Sequence, residues 1–117
     1  MSLQILDYNV RSSFGSIEIG KKEGFENIGQ VTTVYEQVKC VTIDSFNFQK
    51  VDLLKLDIEG MEEQALNGAR ETIARCKPFL FIEYIKSNRA NLEKFFDEIG
   101  YNFDTRGESG DYFCSPK

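Results

Sequence analysis

Three carboxylates in this chain stand where carboxylate chemistry is usually done. Asp57 and Glu59 follow the apolar run Val51 to Leu56, and Glu83 follows Phe79-Leu80-Phe81-Ile82 directly. Asp57 and Glu59 alternate with Ile58, so both leave the strand end on one face. Acids so placed can accept a proton, orient a bound small molecule, or ligate a hard divalent cation. The plainer reading has Asp57 capping the turn and Glu59 interacting with the positive end of the next helix. Glu83 either faces the other two across neighbouring strand ends or pairs with Lys86, Lys55 or Arg89. In the first case the crowding raises at least one pKa unless a cation intervenes. Tyr84 either lines the same site or is an ordinary tyrosine running from surface to core.

The elements that must position these groups are legible around them. Val51 to Asp57 is nearly continuous in apolar residues, as strands covered on both faces are. Gly60 permits a tight turn. Met61, Ala65, Leu66, Ala69 and Ile73 recur at helical spacing, which predicts one amphipathic helix over 61–75. Pro78 blocks its continuation, and residues 78–84 read as a second buried strand. A strand-helix-strand unit is right-handed in nearly all folds, so the two strands are expected to be parallel neighbours. Ser87 or Asn88 can cap a further helix whose apolar face is Leu92, Phe95, Phe96 and Ile99, closed by Gly100. Residues 101–105 and 111–115 then read as a hairpin around Gly107-Glu108-Ser109-Gly110. Upstream, 3–10 and 17–19 read as strands and 21–30 as a loop. Two short strands are expected at 30–34 and 38–43, with Asp44 and Ser45 as turn or cap residues and a helical turn over 45–49.

Composition bounds the function. A chain of 117 residues is expected to form a single domain, and ten phenylalanines with five tyrosines fill a core. The formal charge of −5 argues against nucleic acid, which requires a basic face. No apolar run is long enough to span a membrane, and Met1-Ser2-Leu3 does not open a signal peptide. Cys40, Cys76 and Cys114 are odd in number and widely spaced, which fits isolated thiols in a reducing, cytoplasmic compartment and not a zinc site. Histidine is absent, which removes Ser-His and Cys-His machinery and leaves acid–base work to carboxylates, Lys, Tyr or Cys.

Several segments together resemble the FkbM family of S-adenosylmethionine-dependent methyltransferases. They are Val51-Asp-Leu-Leu-Lys-Leu-Asp-Ile-Glu-Gly60, Ala65-Leu66-Asn67-Gly68-Ala69 and Lys77-Pro78-Phe79-Leu80-Phe81-Ile82-Glu83. Asn9-Val10-Arg11-Ser12-Ser13-Phe14 and Val41-Thr42-Ile43-Asp44-Ser45-Phe46 are similar to two further family segments. The likeness runs over roughly residues 9–85, in order and at fitting spacing.

The resemblance implies an α/β fold: a partial class I methyltransferase (Rossmann-like) sheet, with central parallel strands, flanking helices and a C-terminal antiparallel hairpin. It implies methyl transfer from S-adenosylmethionine to a small-molecule acceptor, through a hydroxyl oxygen, in the complete enzyme. Asp57 and Glu59 are then the catalytic candidates, and Glu83 and Tyr84 the acceptor-binding ones. The family's cofactor loop lies in its N-terminal half, and no glycine-rich loop follows a strand here. Gly15, Gly20, Gly24 and Gly29 lie scattered among polar residues. Residues 1–117 therefore read as the C-terminal portion of such a domain, inactive alone and without cofactor-binding residues of its own. A divalent cation remains an open companion of the acids. The alternative is a non-catalytic α/β module that uses its strand-end carboxylates for binding or assembly. Loss of the N-terminal strands would leave the Val51–Asp57 edge open, which invites a homo-oligomer through that edge and burial of apolar surface near Leu54 and Leu56.

Overall fold

The computed structural model describes residues 2–4, 9, 35–105 and 109–117. Compactness divides the chain into Met1–Cys40 and Val41–Lys117, where length alone pointed to one domain. In the first unit, β1 (Ser2–Gln4) pairs antiparallel with β2 (Tyr35–Gln37). The strand expected over 38–43 does not form, and the break expected near residue 36 is instead strand. The readings at 17–19 and 21–30, and the segment Asn9–Phe14 apart from Asn9, lie outside the described residues.

The second unit carries the strand-end acids. Its strands are β3 (Leu53–Leu56), β4 (Phe79–Glu83), β5 (Tyr101–Thr105) and β6 (Asp111–Pro116). They form one sheet in the order β3-β4-β6-β5. β3 and β4 are parallel, with Leu56 opposite Ile82, while β4–β6 and β5–β6 are antiparallel. The parallel pair and the terminal hairpin thus stand as the sequence pattern requires.

Alternation along the strands assigns the two faces. Leu56, Leu80, Ile82, Tyr112 and Tyr101 are buried under the helices, with Leu66, Ile73, Leu92 and Phe96 filling the layer between. Leu53, Phe79 and Phe113 point the other way and stay exposed. The apolar surface left bare is therefore not at Leu54 and Leu56, which pack into or against the core, but on the opposite face.

The helical run after β3 is two helices and not one: α1 (Glu62–Asn67) and α2 (Arg70–Cys76). The apolar spacing continues across the break, so periodicity alone does not reveal it. The cause is Asp44, in the 3-10 turn Ile43–Phe46. Its backbone N–H donates to the Gly68 carbonyl at 2.8 Å, and its carboxylate accepts from the N–H groups of Glu71 at 3.1 Å and Thr72 at 2.8 Å. It thereby closes one helix and caps the next. Gly68 permits the approach, since a Cβ there would lie 3.2 Å from the Thr42 side chain. Lys77, in the left-handed region at φ 51°, ends α2 before Pro78. Helix α3 (Arg89–Glu98) is capped by Asn88, whose side chain accepts from the Asn91 N–H, and Gly100 turns the chain out at φ 71°.

Candidate functional site at the strand ends

The parallel register brings the predicted acids to one end of the sheet. With Leu56 opposite Ile82, the next residues on the two strands are Asp57 and Glu83. Glu83 has its carboxyl raised above the ordinary range, first by burial and then by the negative charges of Asp57, Glu59, Glu62 and Asp111. Asp57, Glu59 and Glu83 therefore share one electrostatic neighbourhood, with Glu62 and Asp111 added to it.

The turn that presents Glu59 is strained. Glu59 sits at φ 57°, a left-handed conformation that costs a non-glycine residue about 1–2 kcal/mol. Gly60 follows at φ 95°, and a Cβ there would stand 3.2 Å from the Lys86 carbonyl. Strain of this kind persists only where the surroundings hold it. Here the holder is Glu62, 1% exposed on the first turn of α1. Its Oε1 accepts from the N–H groups of Ile58 at 2.9 Å and Gly60 at 3.3 Å, and its Oε2 accepts from the Ser87 hydroxyl. Glu62 thus ties the β3–α1 turn to the loop after β4. From sequence alone a glutamate at this position is only a charge suited to a helix N-terminus. A buried acid among exposed neighbours on a helix face leaves no periodic signal.

Each outer acid has a cation beside it. Lys55 meets Asp57 at 3.2 Å, and Lys86 meets Glu59 at 2.6 Å. Among the described residues no group of three or more His, Cys, Asp or Glu side chains is arranged to hold a metal ion. The positive charge beside Asp57 and Glu59 is that of the two lysines.

Tyr84 lies half-buried beside this cluster, with its N–H donating to the Gly110 carbonyl at 2.8 Å. Its ring packs 4.8 Å from that of Tyr112, and the Arg89 guanidinium lies 4.5 Å from its centroid. Arg89 also donates to the Tyr112 hydroxyl at 3.0 Å, and that hydroxyl donates to Glu93. The hydrogen bond to Tyr112 raises the Arg89 pKa further, so this cation is permanent. Cys114 is no nucleophile: burial pushes its thiol up to about 12.

The match to a family model decides the kinship. The methyltransferase FkbM domain matches residues 4–103. The chain belongs to the FkbM methyltransferase family. No curated protein and no solved structure gives a significant match. FkbM methyltransferases use S-adenosylmethionine as methyl donor, and the small α/β unit with its mixed four-stranded sheet accords with part of a methyltransferase-like fold. The β3–α1 turn does not offer that donor a free backbone cradle. A nucleoside cofactor in such folds is cradled by free backbone N–H groups at a strand-to-helix turn, whereas at the β3–α1 turn the N–H groups of Ile58 and Gly60 are already spent on Glu62. Two of the segments that carry the family likeness also turn out to be structural partners. Thr42 and Asp44 of one pack against and cap the helices joined at Gly68 of the other. No helix among the described residues is long and apolar enough to cross a membrane.

Proposed function

We propose that this chain is the acceptor-side portion of an FkbM-type domain that, when complete, transfers a methyl group to a hydroxyl oxygen of a small molecule. The observation that carries the reading is the turn at Glu59. A strained, charged residue is clamped from two sides at the strand end where ligands of open α/β sheets bind. Asp57 and Glu59 are the catalytic groups, holding the acceptor hydroxyl and taking its proton. Glu83 and Tyr84 line the acceptor pocket, with the Glu83 carboxyl held above the ordinary range by burial and by the neighbouring acids. The donor belongs to residues beyond these, and the chain alone binds it weakly or not at all. The reading carries with it a cytoplasmic location, a small-molecule acceptor, and a second copy of the chain as macromolecular partner.

Isothermal titration of S-adenosylmethionine into the chain is the test. No tight complex is expected, and a tight one-to-one complex would refute the division of labour. A second reading has its own support: Lys55 and Lys86 occupy Asp57 and Glu59, as they would in a non-catalytic binding or assembly module.

A further inference from the structure

Among the described residues, the face of the sheet opposite α1, α2 and α3 carries an ordered row of side chains. Cross-strand register places Lys55 beside Phe81, Phe81 beside Phe113, and Phe113 beside Asp104. The row therefore reads, from β3 to β5, as one positive charge, two aromatic rings and one negative charge. The rings pack on each other at 4.5 Å, and Lys55 lies 5.7 Å from the Phe81 centroid. Leu53 and Phe79, paired in the neighbouring row, are 61% and 63% exposed. Leu53, Phe79, Phe81, Phe113 and Asp104 line a shallow hollow of about 460 Å³, with Lys55 beyond its rim. Exposed aromatic surface of this kind marks an interaction site.

We propose that this face binds a second copy of the chain, sheet against sheet, about a two-fold axis running parallel to the strands. The charge order selects both occupant and orientation. Strands lie about 4.8 Å apart, so Lys55 and Asp104 are separated by roughly 14 Å across the row. A two-fold along the strands reverses the row. It sets Lys55 of each copy over Asp104 of the other and the Phe81–Phe113 pairs over one another. A two-fold along the row would instead oppose lysine to lysine and aspartate to aspartate. Two sheets packed at about 10 Å leave room for such rings to interdigitate. An isologous contact needs a self-complementary patch, and this row is one.

The face is a better candidate than the edge of β3. That edge is only four residues long and is flanked by the Lys50–Asp52 and Lys55–Asp57 pairs, and charge beside a short edge strand discourages strand addition. The contact rests on one face of a four-stranded sheet whose strands are only four to six residues long, so the dimer is weak and concentration-dependent.

Sedimentation velocity of the full chain from about 10 µM to 1 mM spans the range in which such a contact forms. A dimer that grows with concentration is expected. Phe113→Glu should abolish it, and Phe113 is exposed enough for the variant to fold, which circular dichroism checks. Lys55→Asp and Asp104→Lys should each weaken dimerisation about tenfold, and the double exchange should restore most of it, since only the across-interface pairing is rebuilt. A monomer throughout the range overturns the proposal. So does a dimer indifferent to Phe113→Glu, which would assign association to the β3 edge, or a double exchange no better than the single ones.

Discussion

Replacing Glu62 by alanine removes the clamp on the strained turn, and the structure fixes what is lost. Two backbone N–H groups, of Ile58 and Gly60, and the hydroxyl of Ser87 lose their acceptor in a site where Glu62 is 1% exposed. A hydrogen bond to a charged group contributes about 1.5–3 kcal/mol net, and an orphaned buried donor costs about 1–3 kcal/mol. Release of the buried carboxylate from its desolvation cost works against both. A net loss of about 2–4 kcal/mol follows for Glu62→Ala. For a unit of this size that lowers the melting midpoint by on the order of 10–20 °C. Glu62→Gln keeps an acceptor for the two N–H groups and should lose less than half as much. Ser87→Ala should cost about 1 kcal/mol alone but little more on top of Glu62→Ala, because the two share one hydrogen bond. Thermal melts by circular dichroism, with urea titration, measure all four. A Glu62→Ala midpoint within about 2 °C of the parent would mean that the turn holds itself, and the clamp would have to be abandoned.

Two more outcomes follow from single groups. Glu83 has a folded-state pKa above its unfolded value, so the folded form binds more protons in the window just above the ordinary glutamate range, and stability falls as pH rises through it. Glu83→Gln should therefore be more stable than the parent at pH 7, with the advantage gone at pH 4, and pH-dependent urea titrations that show no such convergence would contradict the cluster. Asp44 is the opposite case. Burial pushes its carboxyl up, but the N–H groups of Thr72 and Glu71 and the charge of Arg75 outweigh it and hold it below the ordinary range. Asp44→Ala should cost about 1–2 kcal/mol at pH 7 as a lost helix cap, and less as the pH falls through the carboxylate range, measured in the same way.

The sheet and the acids were legible in the sequence because both rest on local signals. Apolar runs ending in Asp57 and Glu83, with Pro78 between, are enough to set two parallel strands side by side. Asn88, Gly100 and the alternation of 101–105 and 111–115 mark the last helix and the hairpin for the same reason. What escaped depends on contacts between distant residues. Asp44 splits the helix at Gly68 through a bond to Glu71, 27 residues along the chain, and nothing within 61–75 records it. Glu62 looks like any glutamate in a first helical turn until the loop carrying Ser87 folds over it. The identity of the bare face also escaped, since a strand as apolar as Leu53–Leu56 looks covered on both sides.

The bond from Asp44 to α2 also says where this unit can be cut. A chain beginning at Val51 would keep every strand of the sheet and still lack the acceptor for the Glu71 and Thr72 N–H groups, the donor to the Gly68 carbonyl, and the Phe48 carbonyl that accepts from Arg75. The smallest self-sufficient piece therefore starts at or before Thr42, although the first strand of its sheet begins only at Leu53. Val41 to Phe48 thus behaves as the latch of the unit and not as a linker leading into it.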